Sequence, residues 1–358
     1  MNEFYKNKRV FVTGHTGFKG SWLCLWLHIM GAEVFGYSID PPSEPNLFNI
    51  AEVSKSCTHQ YGNINDYDML KRCIIDFQPE IVIHLAAQSL VRQSYKEPMD
   101  TYLTNIMGTV HILEIARKVN SIRAILNVTT DKCYENKETQ IPYTENDPMG
   151  GHDPYSSSKG CSELITSAYI RSFYNVMASK NHKISAASAR SGNVIGGGDF
   201  AQDRLVPDIF RAFSQQKALH IRYPLATRPW QFVLEPLFGY LLLCKKLYNN
   251  DSSFVGPWNF GPKDSDIQQV EWVANSFAAH WGENASIIID KQEHPHESTL
   301  LKLNSTKART KLGWKTRFNI SDAVQWTSDW YKTFYTDPTS IKQLTRNQII
   351  KYMNNEIR

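Results

Sequence analysis

A tyrosine and a lysine four residues apart, Tyr155 and Lys159, open a helical stretch that reads Tyr155-Ser-Ser-Ser-Lys159. Positions i and i+4 share one face of a helix. A free phenol, with a pKa of about 10, is a poor base at neutral pH. An ammonium beside it favours the phenolate. The pair therefore suits proton exchange with a hydroxyl that becomes a ketone. Such a string also arises by chance on surface helices, so its weight comes from what surrounds it. Upstream, an apolar run, Ile122–Thr129, ends in Thr129-Thr130-Asp131-Lys132-Cys133-Tyr134. Catalytic side chains belong at the carboxyl ends of such strands. Thr130 can hydrogen-bond a reacting hydroxyl, and Asp131 can protonate a leaving group. Lys132 can take a proton from carbon if its pKa is pushed down. The plainer reading, a polar loop after a strand, stays open at this point.

A third cluster lies at the start of the chain. Arg9–Thr13 (RVFVT) runs into Gly14-His15-Thr16-Gly17-Phe18-Lys19-Gly20, with a helical pattern behind it. Glycines at this spacing allow a tight turn, a close approach of backbone to a pyrophosphate, and close helix–strand packing. The helix N-terminus adds N–H donors and a positive dipole end. The placement at a first strand–helix turn points to a dinucleotide site, with a glycine-rich turn that holds no ligand as the other reading. The second strand pattern ends at Asp40. A carboxylate there accepts hydrogen bonds from both ribose hydroxyls and repels a 2′-phosphate, so NAD is expected rather than NADP. Asp40 can also simply cap the turn before Pro41-Pro42.

The elements that must position these residues alternate. Strand patterns at Arg9–Thr13, Val34–Ile39, Ile81–Leu85, Ile122–Thr129 and Ile184–Ala189 are separated by helical patterns at Ser21–Met30, Asp66–Phe77, Thr101–Val119 and Tyr155–Ala178. Alternation of this kind predicts a doubly wound parallel α/β sheet, Rossmann-like, with helices on both faces. The regularity fades after Arg190, where Gly196, Gly197 and Gly198 fall together. The expected division is a cofactor domain at 1–189, with 232–258 returning to it. A smaller C-terminal substrate domain follows at 190–231 and 259–335, and 336–358 forms a tail with no assigned function.

The bulk properties narrow the class. The chain has 358 residues, a net charge of +4, and 42% apolar and 21% charged residues, ordinary for a globular enzyme. Basic residues are dispersed, which argues against a nucleic-acid partner. Cys24, Cys57, Cys73, Cys133, Cys161 and Cys244 form no CxxC pair and no metal spacing with histidine. They read as reduced thiols of a cytoplasmic protein. His280, His294 and His296 show no metal partners and are read as solvated, so no metal is expected. The charged start MNEFYKNKR does not resemble a signal peptide. The apolar stretches near Trp22–Met30 and Leu237–Leu247 are too short or interrupted to span a bilayer.

Taken together, these residues resemble the extended short-chain dehydrogenase/reductase family of sugar-nucleotide enzymes. Leu85-Ala86-Ala87-Gln88 resembles that family's cofactor motif after the fourth strand, Asn63-Ile64 its adenine-contacting turn, and Asn105 its mid-helix asparagine. Within the family, the strings Gly14–Trp22, Asp131–Asn136, Gly150–Tyr155, Arg190–Asp199, Asp203–Asp208 and Arg228–Gln231 are similar to those of members that dehydrate a nucleotide-linked glucose. The implied substrate is CDP-glucose. Thr130 stands where many such enzymes carry serine, and Phe200 where tryptophan is expected. Relatives acting on dTDP-glucose carry Asp-Glu in place of Asp131-Lys132. His15 and Lys19 are expected to crowd the phosphate loop. The resemblance further implies that Asn193, Arg204 and Arg228 line the substrate site. Two arginines suit a pyrophosphate; structural ion pairing is the other reading.

The implied reaction oxidises C4, removes water across C5 and C6, and returns the hydride to C6, with NAD regenerated. A 4-epimerase, a dehydratase for another nucleotide sugar, and a non-catalytic NAD-sensing protein are the alternatives. An epimerase needs no Asp–Lys pair after the strand, and a sensor is free to lose Tyr155 or Lys159. The resemblance also implies a homodimer, or a dimer of dimers, formed where Thr101–Val119 and Tyr155–Ala178 meet a second copy. It places the product in deoxysugar supply for a bacterial surface polysaccharide.

Overall fold

In the computed structural model, which describes residues 1–174, 183–283, 285–290 and 300–356, the short β-branched and apolar runs form one parallel sheet. Its strands are β1 (Arg9–Thr13), β2 (Glu33–Ser38), β3 (Thr58–Tyr61), β4 (Ile81–His84), β5 (Ala124–Val128), β6 (Ser185–Ser191) and β7 (Gly256–Phe260). The order across the sheet is β7-β6-β5-β4-β1-β2-β3, and every pairing is parallel. The winding reverses between β1 and β4. Connections leave the carboxyl ends of these two strands in opposite directions and open a crevice there, where ligands of such sheets bind.

Residue alternation explains the two helical layers. Val10, Val12, Ile81, Ile83 and Leu126 point to one face, where α1 (Phe18–Ile29) packs. Phe11, Val82 and Ile125 point to the other, covered by α2 (Tyr67–Phe77) and α3 (Gly108–Ala116). A strand buried on both faces needs apolar residues at odd and even positions alike, and β5 is buried throughout. Helix ends follow local rules. The Asp66 carboxylate accepts from the Met69 N–H and starts α2. Gly31, at φ +78, ends the turn after α1. Asp153 caps α4 (Pro154–Tyr169) by accepting from the Ser156 N–H, with Pro154 in the first turn.

Beyond the sixth strand lie α5 (Leu205–Ser214), α6 (Leu234–Tyr248), α7 (Val270–Trp281), α8 (Ile320–Thr336) and α9 (Ile341–Asn354). Helix α6 packs on the α1 face of the sheet, and β7 pairs with β6. Small strand pairs, Thr227–Pro229 with Ile267–Gln269 and Leu219–Ile221 with Ile287–Ile289, stiffen the region around α5 and α7. Helix α9 buries Ile341, Ile349 and Tyr352, and the Tyr352 ring meets Trp26 of α1 edge-on at 5.5 Å.

The structure differs from the sequence reading in several elements, and β7 was not among the five strands expected. Thr101–Val119 is not one regular helix: Pro98–Tyr102 passes through a wide turn, Leu103–Met107, before α3 begins. Tyr155–Ala178 likewise leaves regular α-helix after Tyr169, and its last residues lie outside the described ones. Strand β3 was not expected, because its sequence Thr-His-Gln-Tyr is polar and sits, mostly exposed, at the sheet edge. Among the described residues no helix is long and apolar enough to cross a membrane, and no cluster of three metal-ligating side chains forms. The six cysteines are free thiols. His280 is exposed, with Nδ1 2.8 Å from the Ser276 carbonyl, while His294 and His296 lie outside the described residues.

Candidate active site

The glycine loop is shaped by close approach. Gly14 has φ +76, where a side chain is strained, and a Cβ there would lie 2.7 Å from the Ala86 nitrogen. A Cβ on Gly20 would lie 2.1 Å from the Gly14 carbonyl oxygen, so α1 sits directly on the loop. The Thr16 hydroxyl is 2.9 Å from Ser38 Oγ and donates to the Ile39 carbonyl at 3.0 Å, tying the loop to the end of β2. The first helical N–H groups, from Phe18 onward, then face the crevice without intrahelical partners.

Neither of the loop's large polar side chains crowds it. The His15 ring is fully buried beneath the loop, stacked edge-on to Phe48 at 5.2 Å and beside His59. It occupies the space a side chain at Gly36 would need, since a Cβ there would lie 2.4 Å from the ring. Burial, with His59 alongside, pulls His15 down to about 4, so it is neutral at physiological pH. Lys19 sends its amine across the sheet ends to Ser191 Oγ, 2.8 Å away. The expected crowding is therefore corrected: tight packing around Gly36 and a polar partner on β6 draw both side chains out of the loop.

The remaining crevice residues fall on either side of the switch point. Asp40 lies two residues past the end of β2 and is exposed. Asn63 and Ile64 follow β3. The Asn63 carbonyl accepts from the Tyr37 hydroxyl at 3.0 Å, and Ile64 is buried against Gly108. Leu85, Ala86, Ala87 and Gln88 follow β4, with the Leu85 and Ala86 N–H groups donating to Thr13 Oγ1 at 3.2 and 3.1 Å. Asn105 holds this segment in place. Its Oδ1 accepts from the Gln88 N–H at 2.9 Å, and its Nδ2 donates to the Gln88 carbonyl at 3.0 Å and to Ser158 Oγ at 2.8 Å. The wide turn Leu103–Met107 is what aims this amide at both partners.

At the end of β5 the chain turns through Asp131–Cys133, with Thr130 Oγ1 accepting from the Lys132 N–H at 3.3 Å. The Thr130 hydroxyl donates to Asp131 Oδ1 at 3.1 Å and lies near enough to the Tyr155 phenol to draw it down. Asp131 is buried, and its Oδ2 has no hydrogen-bond partner. Burial raises its carboxyl above the usual range, against the pull of Lys132, Thr130, Arg228 and Lys19. Lys132 is half-buried beside it. Burial pushes the Tyr155 phenol up to about 12, while Thr130 and the Arg204 guanidinium act in the opposite direction. Lys159 donates to the Val128 carbonyl at 3.2 Å and is brought down to about 8 by burial. The ammonium expected beside Tyr155 is thus turned to the β5 backbone, and Arg204 is the cation that acts on the phenol.

Arg204 is fixed by Asp199 Oδ2 at 2.9 Å and by Ser89 Oγ at 2.9 Å, which joins the substrate region to the β4 loop. Arg228 is buried, and its Nη1 donates to the Thr227 carbonyl at 3.1 Å. The Asn193 carbonyl accepts from the Gln231 N–H at 2.9 Å. Tyr155, Asp131, Lys159, Arg204, Arg228 and Lys19 lie close enough to shift one another's charge states. Asp40, Asn63 and Ile64 stand apart, on the β2–β3 side. Sequence reasoning missed Glu163, which completes the series Tyr155, Lys159, Glu163 at steps of four along α4. It pairs with Arg190 at 2.9 Å and accepts from Thr129 and Ser188 at 2.5 Å each. The i+4 spacing was the available signal. Ser191 and Tyr240, bonded to each other at 2.9 Å, carried none.

A parallel sheet wound in this order, a glycine loop after β1, and a Tyr–Lys helix facing the end of β5 define an extended short-chain dehydrogenase/reductase. A family model described as GDP-mannose 4,6 dehydratase matches residues 11–327, and the chain belongs to that family of enzymes. The CDP-glucose 4,6-dehydratase of Salmonella typhimurium is 49% identical over 331 residues, 92% of each chain. An epimerase from Methanothermobacter thermautotrophicus superposes with a TM-score of 0.81 at 25% identity, covering 94% of this chain and 96% of that one. The dTDP-glucose 4,6-dehydratase of Bacillus anthracis, solved in complex with NAD, has a TM-score of 0.73 at 19% identity over 94% and 99% of the two chains.

Proposed function

We propose that this enzyme converts CDP-D-glucose to CDP-4-dehydro-6-deoxy-D-glucose and water, with NAD as a regenerated cofactor. One observation carries the reading: a phenol suited to C4 oxidation and a buried carboxyl suited to elimination, raised by its burial and with Oδ2 free of protein partners, lie together in one chamber beside the Thr130 hydroxyl. The 49% identity to a CDP-glucose dehydratase supports the choice of substrate.

The residues fit the dinucleotide. The loop backbone passes so close to α1 and to Ala86 that only glycine is accommodated at 14 and 20, and a pyrophosphate can therefore reach the helix N-terminus. The backbone of Gly14 to Gly20 would hold it, Asp40 would take the ribose, Asn63 and Ile64 the adenine side, and Leu85 to Gln88 would line the far wall. NAD, when bound, supplies a hydride sink that links hydrogen loss at C4 to hydrogen gain at C6. Tyr155 takes the C4 hydroxyl proton, with Thr130 near its phenol. The resulting ketone acidifies C5–H, and Lys132 removes that proton. Asp131 gives its proton to the C6 hydroxyl, which departs as water, and the C5–H electrons become the C5=C6 bond. Lys132 then reprotonates C5, and the proton left on Tyr155 restores the Asp131 carboxyl, so that all three side chains return to their starting states. Asn193, Arg204 and Arg228 bind the nucleotide diphosphate; a chamber with more cations than carboxylates attracts such an anion.

The reading includes a homodimer or a dimer of dimers. Met99, Tyr102, Leu103 and Met107 expose apolar surface ahead of α3, and Leu164 does so on α4; Met99 is 76% exposed. NAD and nucleotide-sugar chemistry, with six reduced thiols, fits the cytoplasm.

Substrate deuterated at C4 tests the assignment. The deuterium is expected at C6 of the product, with one solvent hydrogen at C5. Deuterium retained at C4 with inverted configuration would establish an epimerase, and CDP-, dTDP- and UDP-glucose all left unchanged would favour a non-catalytic NAD-binding protein. Parallel incubations with dTDP- and UDP-glucose test the base, with CDP-glucose expected to turn over fastest.

A further inference from the structure

One side chain of the glycine loop carries its charge to the reacting groups. Lys19 Nζ donates to Ser191 Oγ at 2.8 Å, at the last residue of β6. The buried Tyr240 hydroxyl of α6 donates to the same oxygen at 2.9 Å, and the Tyr240 ring lies 5.9 Å from the ammonium. Lys19 thus spans the carboxyl ends of the sheet from α1 to β6, on the face opposite α4. The residue after Ser191 is Gly192, where a Cβ would lie 3.0 Å from Asp131 Oδ2. That oxygen is the buried one without a hydrogen-bond partner. Arg204 and Lys159 oppose the Lys19 charge, and Asp131 and Asp199 favour it. The cations that act on Asp131 are Lys132, Arg228 and Lys19.

We propose that Lys19 is a positioning residue for water elimination: anchored on Ser191, its ammonium balances the carboxylate left when Asp131 gives up its proton. The inference rests on the dehydratase reading, in which Asp131 is the acid. In the step, the Asp131 O–H bond breaks and its proton goes to O6. The C6–O6 bond breaks and water departs. The C5–H electrons become the C5=C6 bond while Lys132 keeps the C5 proton. A negative charge appears on a buried carboxyl, where an unbalanced charge is expensive. Ser191 uses one of the three ammonium hydrogens, leaving two for this duty. Burial also brings Lys19 down to about 7. The ammonium is therefore present below that pH and lost above it, and elimination slows as pH rises through about 7.

The test uses the NAD-loaded enzyme with CDP-glucose and follows two readouts, nicotinamide reduction in a single turnover and release of dehydrated product. Lys19→Met, compared at saturating NAD, is expected to slow the second about tenfold more than the first, the effect of about one pKa unit on the acid. Lys19→Arg is expected to restore most of the rate and to move the alkaline limb upward. In an Asp131→Asn background, Lys19→Met should add no further loss. An unchanged product rate in Lys19→Met would overturn the proposal. So would an equal loss on top of Asp131→Asn, or equal damage from the Met and Arg variants. If the unmodified enzyme forms no dehydrated product, or Asp131→Asn eliminates at the normal rate, the dehydratase reading itself fails and takes this inference with it.

Discussion

Tyr155, Thr130 and Asp131 bring three oxygen-bearing side chains together, and burial there keeps the phenol protonated and raises the carboxyl. The phenol is pushed up to about 12 and the carboxyl is raised as well. A proton-holding carboxyl is what a departing hydroxyl needs, and a phenol becomes a base only when positive charge arrives beside it. Arg204 already acts in that direction, and a bound nicotinamide cation would add to it. Tyr155→Phe deletes one oxygen from this group. We expect turnover to fall about 10²–10⁴-fold, the usual worth of general acid–base catalysis, with an unchanged melting temperature. Near-normal turnover would assign the proton to another group. The Tyr155–Lys159 spacing and the Thr130-Asp131-Lys132 turn were legible in the sequence because local chain geometry sets both. The destinations of the Lys159 and Lys19 amines were not, since long flexible side chains choose partners from other elements.

Helix α1 and its loop act as one element. Its N-terminus reaches the crevice only because residue 20 lacks a side chain, as a Cβ there would lie 2.1 Å from the Gly14 carbonyl. Gly20→Ala must push α1 away from the loop. The expected result is destabilisation of about 1–3 kcal/mol, as for overpacked sites, together with weakened NAD binding. Gly17→Ala is the control, because its Cβ would meet only the Gly14 oxygen, at 3.4 Å. It should melt like the unmodified protein. Thermal melts and NAD titrations of both variants check the pair, and an unaltered Gly20→Ala protein would refute the close-packing account. The alternation of strands and helices was legible because buried strands must be apolar on both sides. The wide turn at Leu103–Met107 was not, since it exists to satisfy Asn105 against Gln88 and Ser158, residues far away in sequence.

Across the whole molecule, α9 closes the chain back onto the sheet through a buried carboxylate. Glu235 on α6 accepts from the Arg317 and Phe318 N–H groups at 2.8 Å each, and from the Tyr352 hydroxyl at 3.0 Å. Burial nonetheless pushes Glu235 up to about 7. The unfolded value is about 4.3, so between these limits the folded state holds a proton that the unfolded state has lost. Stability linked to this group is therefore complete below about pH 4 and declines as pH rises towards 7. Glu235→Gln keeps an acceptor for the two N–H groups and cannot ionise. We expect its melting temperature to change less between pH 5 and 7, about the span of the shift, than that of the unmodified protein. Equal pH dependence in the two would remove Glu235 from the account.

Local patterns in the chain were enough to define the parallel sheet, the dinucleotide loop and the Tyr–Lys helix, because period-two and period-3.6 burial and glycine spacing are properties of neighbouring residues. The packing of distant elements decided the rest. It turned His15 under the loop, carried Lys19 to Ser191, set Arg204 beside Tyr155 and paired Glu163 with Arg190. Charge states in the chamber belong to the same category: each depends on burial and on neighbours that only the folded chain brings together.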